Sequence, residues 1–234
     1  MKSLRARSIL PLIALLFTGQ ASATVISHNG YSHDDTTNIV EGGGLEWLQW
    51  DETVGQSIDT GLGTYSPDGW RLASNAEMAA LFNAFDFGGL FDSDETTQDD
   101  YNKPWTRSEA SAHRNYIALF GDTYKAGGSS YGTANDTFTM SSALYGEDPN
   151  TNALHNIAQV HDDYSVNYPS GTTRQWHRAK TSPDWYDKST TSRHTGVALV
   201  RRPQQVPEPT TLALLGLGLG IASLATSRRR VGRR

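Results

Sequence analysis

The side chains suited to chemistry fall into four groups along this 234-residue chain. Gly128-Ser-Ser130-Tyr-Gly132 fits the G-x-S-x-G pattern of a serine nucleophile. Such a serine needs a sharp strand-to-helix turn to lift its hydroxyl into a site. Here a Gly- and Ser-rich stretch runs on into Gly-Thr-Ala-Asn with no helix signal, and a plain loop is expected. His155, His161, Asp162 and Asp163, with His177 and His194 further on, offer imidazole and carboxylate of the kind that holds zinc or iron. No H-E-x-x-H helix orders them, so strand or surface histidines are the expected reading. Asp92, Asp94, Glu95, Asp99 and Asp100 supply hard oxygens for calcium but lack the D-x-D-x-D-G order and its closing Glu. A solvated acidic loop is favoured there, calcium stays open, and no other cofactor is expected.

The fourth group is aromatic. Trp47 and Trp70 are assigned to the core. Trp176 and Trp185 lie in loop-like sequence beside Arg174, His177, Arg178 and Lys180. Aromatic faces stack on sugar rings, which makes Trp176, Trp185, Arg174 and Arg178 the candidate glycan-binding set. These residues point to a body that binds or scaffolds and does not catalyse. The rival from another class is a secreted hydrolase of matrix polysaccharide, which needs two carboxylates converging in a cleft.

The elements that must position these groups are short. Thr24 to His33 begins as a strand with an Asn29-Gly30 turn. Leu45 to Trp50 places apolar residues at both strand parities, so both of its faces are covered. Gly55 to Gly69 reads as a loop. Gly69-Trp-Arg-Leu-Ala73 reads as a strand, and Ser74-Asn-Ala-Glu77 as a capping box opening an amphipathic helix to Phe85, with Met78, Leu81, Phe82 and Phe85 on its core stripe. Further strands are expected at Tyr116 to Phe120, Thr137 to Tyr145, His155 to Val160 and Thr195 to Arg201. The sum is one α+β domain over 24–205, of mainly antiparallel short strands with one or two helices and long loops.

Composition narrows the partners. Over 24–205 the sequence holds 12 Lys plus Arg against 24 Asp plus Glu, a charge of −12, whereas the whole chain is −5. So acidic a body repels nucleic acid, because phosphate binding needs clustered cations. There is no cysteine, which removes disulfides, thiolate metal sites and thiol nucleophiles.

The basic residues collect at the ends. Lys2, Arg5 and Arg7 precede the apolar stretch Ile9 to Phe17, and Ala21-Ser-Ala23 supplies small residues for cleavage, so 1–23 reads as a signal peptide handled by signal peptidase and the general secretion machinery. At the other end Val206-Pro207-Glu208-Pro209 leads into the uncharged run 210–226 and then Arg228, Arg229 and Arg230 within the basic tail 228–234. Seventeen residues at 1.5 Å each reach roughly 25 Å, just enough for a thin transmembrane helix, and the arginines hold its far side in the cytoplasm. Prolines either side of Glu208 keep that site extended, where a protease can grip it.

This ordered triplet resembles the PEP-CTERM sorting signal, here 206–230. The resemblance implies a Gram-negative exported protein, held transiently at the inner membrane, cut near Pro-Glu-Pro by exosortase and delivered to the cell surface or an extracellular, biofilm-type matrix. A permanently anchored protein is the alternative. The body is similar, more loosely, to an extracellular family typified by the C-terminal domain of a bacterial collagen-like adhesin. The likeness rests on Gly44-Leu-Glu-Trp47, on Gly69-Trp-Arg-Leu72 running to Glu77 and Leu81-Phe82, and on Gly196 to Arg201. Ala73 stands where that family has Pro, and its cysteines are absent. The resemblance implies a C-type-lectin-like fold and an extracellular polysaccharide as partner.

Overall fold

The computed structural model describes residues 24–94, 96–106, 111–128, 135–146, 153–165 and 173–204, with Arg174 and Asp184 described by their backbone alone. The signal peptide with Ala21 and Ala23, Glu95, Ser129 to Gly132, and the segment carrying Val206 to Pro209, 210–226 and Arg228 to Arg230 lie outside these residues. No helix among the described residues is long and apolar enough to cross a membrane.

The body is one sheet-rich domain with few helices, built on two six-stranded sheets. The first sheet runs β1 (Val25–His28), β2 (Tyr31–Asp34), β3 (Ile39–Gly42), β4 (Leu45–Leu48), then β12 (Leu199–Arg201) and β5 (Arg71–Leu72), antiparallel throughout. The β1–β2 turn is the expected Asn-Gly pair, both residues at positive φ (50° and 82°), the left-handed geometry a two-residue hairpin requires. In β4 Glu46, Trp47 and Leu48 are all buried, so both faces of that strand are covered as expected.

The second sheet is ordered β11 (Gly196–Val197), β8 (Thr137–Tyr145), β9 (Leu154–Ser165), β10 (Arg174–Asp187), β6 (Asp99–Pro104). β7 (Tyr124–Gly127) shares the β8 edge with β11, antiparallel along Thr137 to Met140, while β11 pairs parallel with Ala143 and Leu144. The chain stitches the sheets together at Ala198. Its N–H donates to Leu144 of one sheet and its carbonyl accepts from Ala73 beside the other, both at 2.9 Å. Ala198 is fully buried, so β11 and β12 are one extended segment passing between the layers.

Three α-helices are described where one or two were expected. α2 (Asn75–Ala84) carries the expected capping box, and Met78, Leu81, Phe82 and Phe85 are all buried in the core. α1 (Ile58–Tyr65) occupies the stretch expected as a loop. Ser57 caps it by accepting from Thr60 N–H, and Ile58 drops into a cluster with Leu144, Ile157 and Val197, so tertiary packing overrides its two glycines. α3 (Ala112–Phe120) replaces the strand expected at Tyr116 to Phe120. Its cap, Ser111, precedes a buried stripe of His113, Tyr116, Ile117, Leu119 and Phe120, a spacing of 3 and 4 and not of 2.

α3 touches β1 and β2 on one side and β8, β9 and β10 on the other, making it the layer between the sheets. Tyr116 anchors it, fully buried with ring centroids 4.5 to 5.6 Å from Phe120, Phe85, Phe82, Trp50 and Phe87. Such edge-to-face and offset pairs each add about 0.5–1.5 kcal/mol beyond area burial. Trp47 and Trp70 are buried, as assigned. A groove stays open where α3, the turn at Trp50–Thr53 and the second sheet meet.

Candidate functional site

That groove is a cleft of about 370 Å³ lined by Gln49, Asp51, Arg114, Ile117, Ala118, Gly121, Asp122, Thr139 and Asp162. The volume falls within the range of roughly 300–1,000 Å³ usual for small-molecule sites. Each wall has a local cause. Gln49 Nε2 donates to Leu119 carbonyl oxygen at 2.8 Å, tying the 3₁₀ turn at Trp50–Thr53 to the end of α3. Gly121 terminates α3 at φ 84°, ψ 153°, a region essentially restricted to glycine. A Cβ there would lie 2.2 Å from Asp51 Oδ1, so the absent side chain is what lets the Asp51 carboxylate close onto the helix terminus.

Asp162 forms the floor. It sits on the inner face of β9, opposite His177 of β10 and Thr139 of β8. Trp105 Nε1 donates to its Oδ1 at 2.7 Å, and Arg114 Nε, from the first turn of α3, donates to its Oδ2 at 2.6 Å. His177 Nδ1 is 3.2 Å from Oδ1 but off the line of a hydrogen bond. Because His177 Nε2 accepts from Thr106 N–H at 3.3 Å, the ring's proton sits on Nδ1, toward the carboxylate. Burial alone would push the Asp162 carboxyl up; the contacts from His177 and Arg114 outweigh it and hold the group below the ordinary carboxylate range.

Asp51 has the opposite bias. Partial burial, then the neighbouring charges of Glu52 and, more weakly, Asp122, raise its carboxyl above the usual range, although its outer side stays in solvent. The cleft thus holds one carboxylate fixed as an anion and one that gives up its charge more readily.

Aromatic rings pack against two of the lining residues, Arg114 and Asp162. The Arg114 guanidinium lies 5.1 Å above Trp105, and Tyr164 packs 4.3 Å from the same indole. Tyr164 is two residues beyond Asp162 on the same face of β9, and both rings are half-buried. Behind them His113 is fully buried between Phe87 and His177, at 4.8 and 5.0 Å. Burial first, and then the neighbouring His177 ring, which disfavours a second proton beside it, lower its pKa to about 3, so it is neutral.

The residues singled out from sequence do not meet in one place. Trp176, Arg178 and Trp185 lie on β10 and not in loops, because β10 runs on through Pro183 to Asp187 past a bulge. Nine residues at about 3.3 Å each separate the two tryptophans by roughly 30 Å along the strand, too far to grip one sugar ring together. Arg178 is engaged in a bidentate pair with Asp100, and Lys180 Nζ lies 5.1 Å from the ring of Trp185, which is 43% exposed.

In the acidic loop Asp100 is taken by Arg178 and Asp99 Oδ2 accepts Asp92 N–H at 2.9 Å, while Asp94 stays in solvent. Asp99 and Asp100 open β6 and are not in the loop. His155 bonds Gly146 carbonyl through Nδ1, His161 packs on Phe138, and His194 packs on Tyr124. Alternation along β9 puts His161 and Asp163 on the face opposite Asp162. Among the described residues no three His, Cys, Asp or Glu side chains gather as a metal cage.

Arg114, Asp51, Asp122, Gln49 and Thr139 escaped sequence reasoning because they converge from separate elements. The one available signal was helical spacing from His113 to Phe120, which places Arg114 one turn before Ala118.

Residues 205–230 match the PEP-CTERM protein-sorting motif. The chain is therefore an exported protein sorted through exosortase to the cell surface or beyond. No curated protein and no solved structure matches it, so the likeness of the body to the collagen-like adhesin domain has no support from either comparison.

Proposed function

We propose that the body is a binding module of the cell surface or extracellular matrix, and that its cleft takes a saccharide segment of the matrix. The observation that carries this reading is the make-up of one groove. Planar polar groups from Gln49, Asp51, Asp122 and Arg114, with the Thr139 hydroxyl, supply donors and acceptors for sugar hydroxyls, and the half-buried rings of Trp105 and Tyr164 lie alongside.

Charge selects among saccharides. Asp51, Asp122 and Asp162 face a single guanidinium, and that guanidinium is already paired with Asp162. A sulfated or uronic-acid chain meets net repulsion there, so the ligand is a neutral or amine-bearing saccharide. Screening the secreted protein against neutral, amino and sulfated glycans, beside an Asp51→Asn, Asp122→Asn variant, tests this. Selective capture of neutral or amino glycans that the variant loses supports the reading; capture of sulfated glycans alone, or none, removes it.

A second reading, hydrolysis of such a chain, is favoured by the split between Asp51, raised, and Asp162, lowered, in one cleft. Against it, Asp162 is engaged by Trp105, Arg114 and His177 and cannot readily turn to a substrate. Release of new reducing ends from a bound glycan, abolished by Asp51→Asn, would favour hydrolysis over binding.

A further inference from the structure

The sorting motif begins directly after Gln204, the last described residue of the body. β12 is an interior strand of the first sheet, between β4 and β5, and Leu199 and Val200 are fully buried. Arg201, the last residue of that strand, is clamped. Its Nε donates to Glu46 Oε2 at 2.5 Å, its Nη1 donates to Asp68 carbonyl oxygen at 3.3 Å, and its guanidinium lies 4.4 Å from the Trp70 ring centroid. The other Glu46 oxygen accepts Gln204 N–H at 3.4 Å. The ordered body therefore holds the chain to residue 204, and the sorting motif starts at 205.

Covalent geometry limits the reach of the chain beyond this clamp. From Gln204 to Glu208 there are four residues, at most about 14 Å when fully extended. A protein that grips the Pro-Glu-Pro site cannot stand clear of the folded domain on so short a tether. The surface it meets is fixed by register. Arg201 lies opposite Glu46 and Val200 opposite Trp47 and Arg71, so the chain leaves beside the Gly43-Gly44 turn and the Asp68-Gly69 turn. Because Ser32 pairs with Glu41, the Asn29-Gly30 turn projects from the same end. Glu41, Asp68 and Arg202 are exposed there, and the glycines at 30, 44 and 69, with open space where a Cβ would stand, leave the end low and open to close approach.

We propose that this end of the first sheet is a docking surface for exosortase, which contacts the folded body while it processes the sorting motif. The Glu46 clamp fixes the orientation in which the domain is presented, and the short tether brings this end against the enzyme.

The test is a pulse-chase of processing in exosortase-bearing cells, following the full chain. A Glu41→Trp, Asp68→Trp, Arg202→Trp variant is compared with a Thr36→Trp control at the opposite end of β2. Insertion of ten Gly/Ser residues between Gln204 and Gln205 is made in each background, and resistance to limited proteolysis confirms a folded body. Docking predicts at least tenfold slower processing in the triple variant, no change in the control, and recovery to within about twofold once the spacer frees the motif from the body. Unchanged processing in the triple variant overturns the proposal, as does slowing that the spacer fails to relieve. Altered flotation of the triple variant with vesicles lacking exosortase also overturns it, since the end would then meet lipid.

Discussion

The Asp51 carboxylate rests against the bare Cα of Gly121, in the space a Cβ would fill at 2.2 Å from Oδ1. This contact joins the turn after β4 to the end of α3 and sets the width of the cleft between them. Gly121→Ala should destabilise the protein by about 3 kcal/mol, because the residue must hold a backbone region reserved for glycine and also displace the carboxylate. Denaturant unfolding measures it. Pairing the change with Asp51→Ala should recover only the steric part, so the two losses are not additive.

Asp162 is the acceptor shared by Trp105 and Arg114, with His177 alongside. Asp162→Ala strands these largely buried donors, and a loss of about 3 kcal/mol is expected in the same measurement. The acid limb carries a second signature. Since the folded-state pKa is lowered from 3.8, the contribution of Asp162 is present above that value and is lost as pH falls through the folded value. Asp162→Asn should flatten the stability profile below about pH 4.

His113 acts over a higher pH range. Its folded pKa is about 3 against 6.5 unfolded. A depressed imidazole contributes its full stability above the unfolded value and loses it as pH falls from 6.5 toward 3. At pH 5 the loss amounts to about 2 kcal/mol relative to neutral pH. His113→Phe, which also removes a buried ring nitrogen without a partner, should abolish that part of the slope. Thermal melts at pH 7 and pH 5 compare the two proteins; an unchanged slope would mean the ring titrates normally.

How much of this was legible in the sequence depends on the range of the interactions. The capping box at Ser74 and Glu77, the Asn29-Gly30 turn and the core roles of Trp47 and Trp70 are local patterns, and all appear in the fold. α1 was hidden because Gly61 and Gly63 argue against a helix, and only contacts of Ile58 with Leu144, Ile157 and Val197, distant in sequence, hold it. α3 was hidden because five of its residues taken alone also suit a strand. The cleft needs Asp51, Arg114 and Asp162 to meet across more than a hundred residues of chain, and no spacing encodes that. The sorting motif was fully readable, because its chemistry is carried by contiguous residues.

The claim that the cleft is the ligand site is tested most directly by hydrogen–deuterium exchange of the secreted protein, with and without a neutral or amine-bearing matrix polysaccharide. Binding in the cleft should slow exchange in Trp50–Thr53 and at the C-terminal end of α3 through Asp122, with no change around Trp185. Protection confined to the strand around Trp185, or none at saturating polysaccharide, would contradict it.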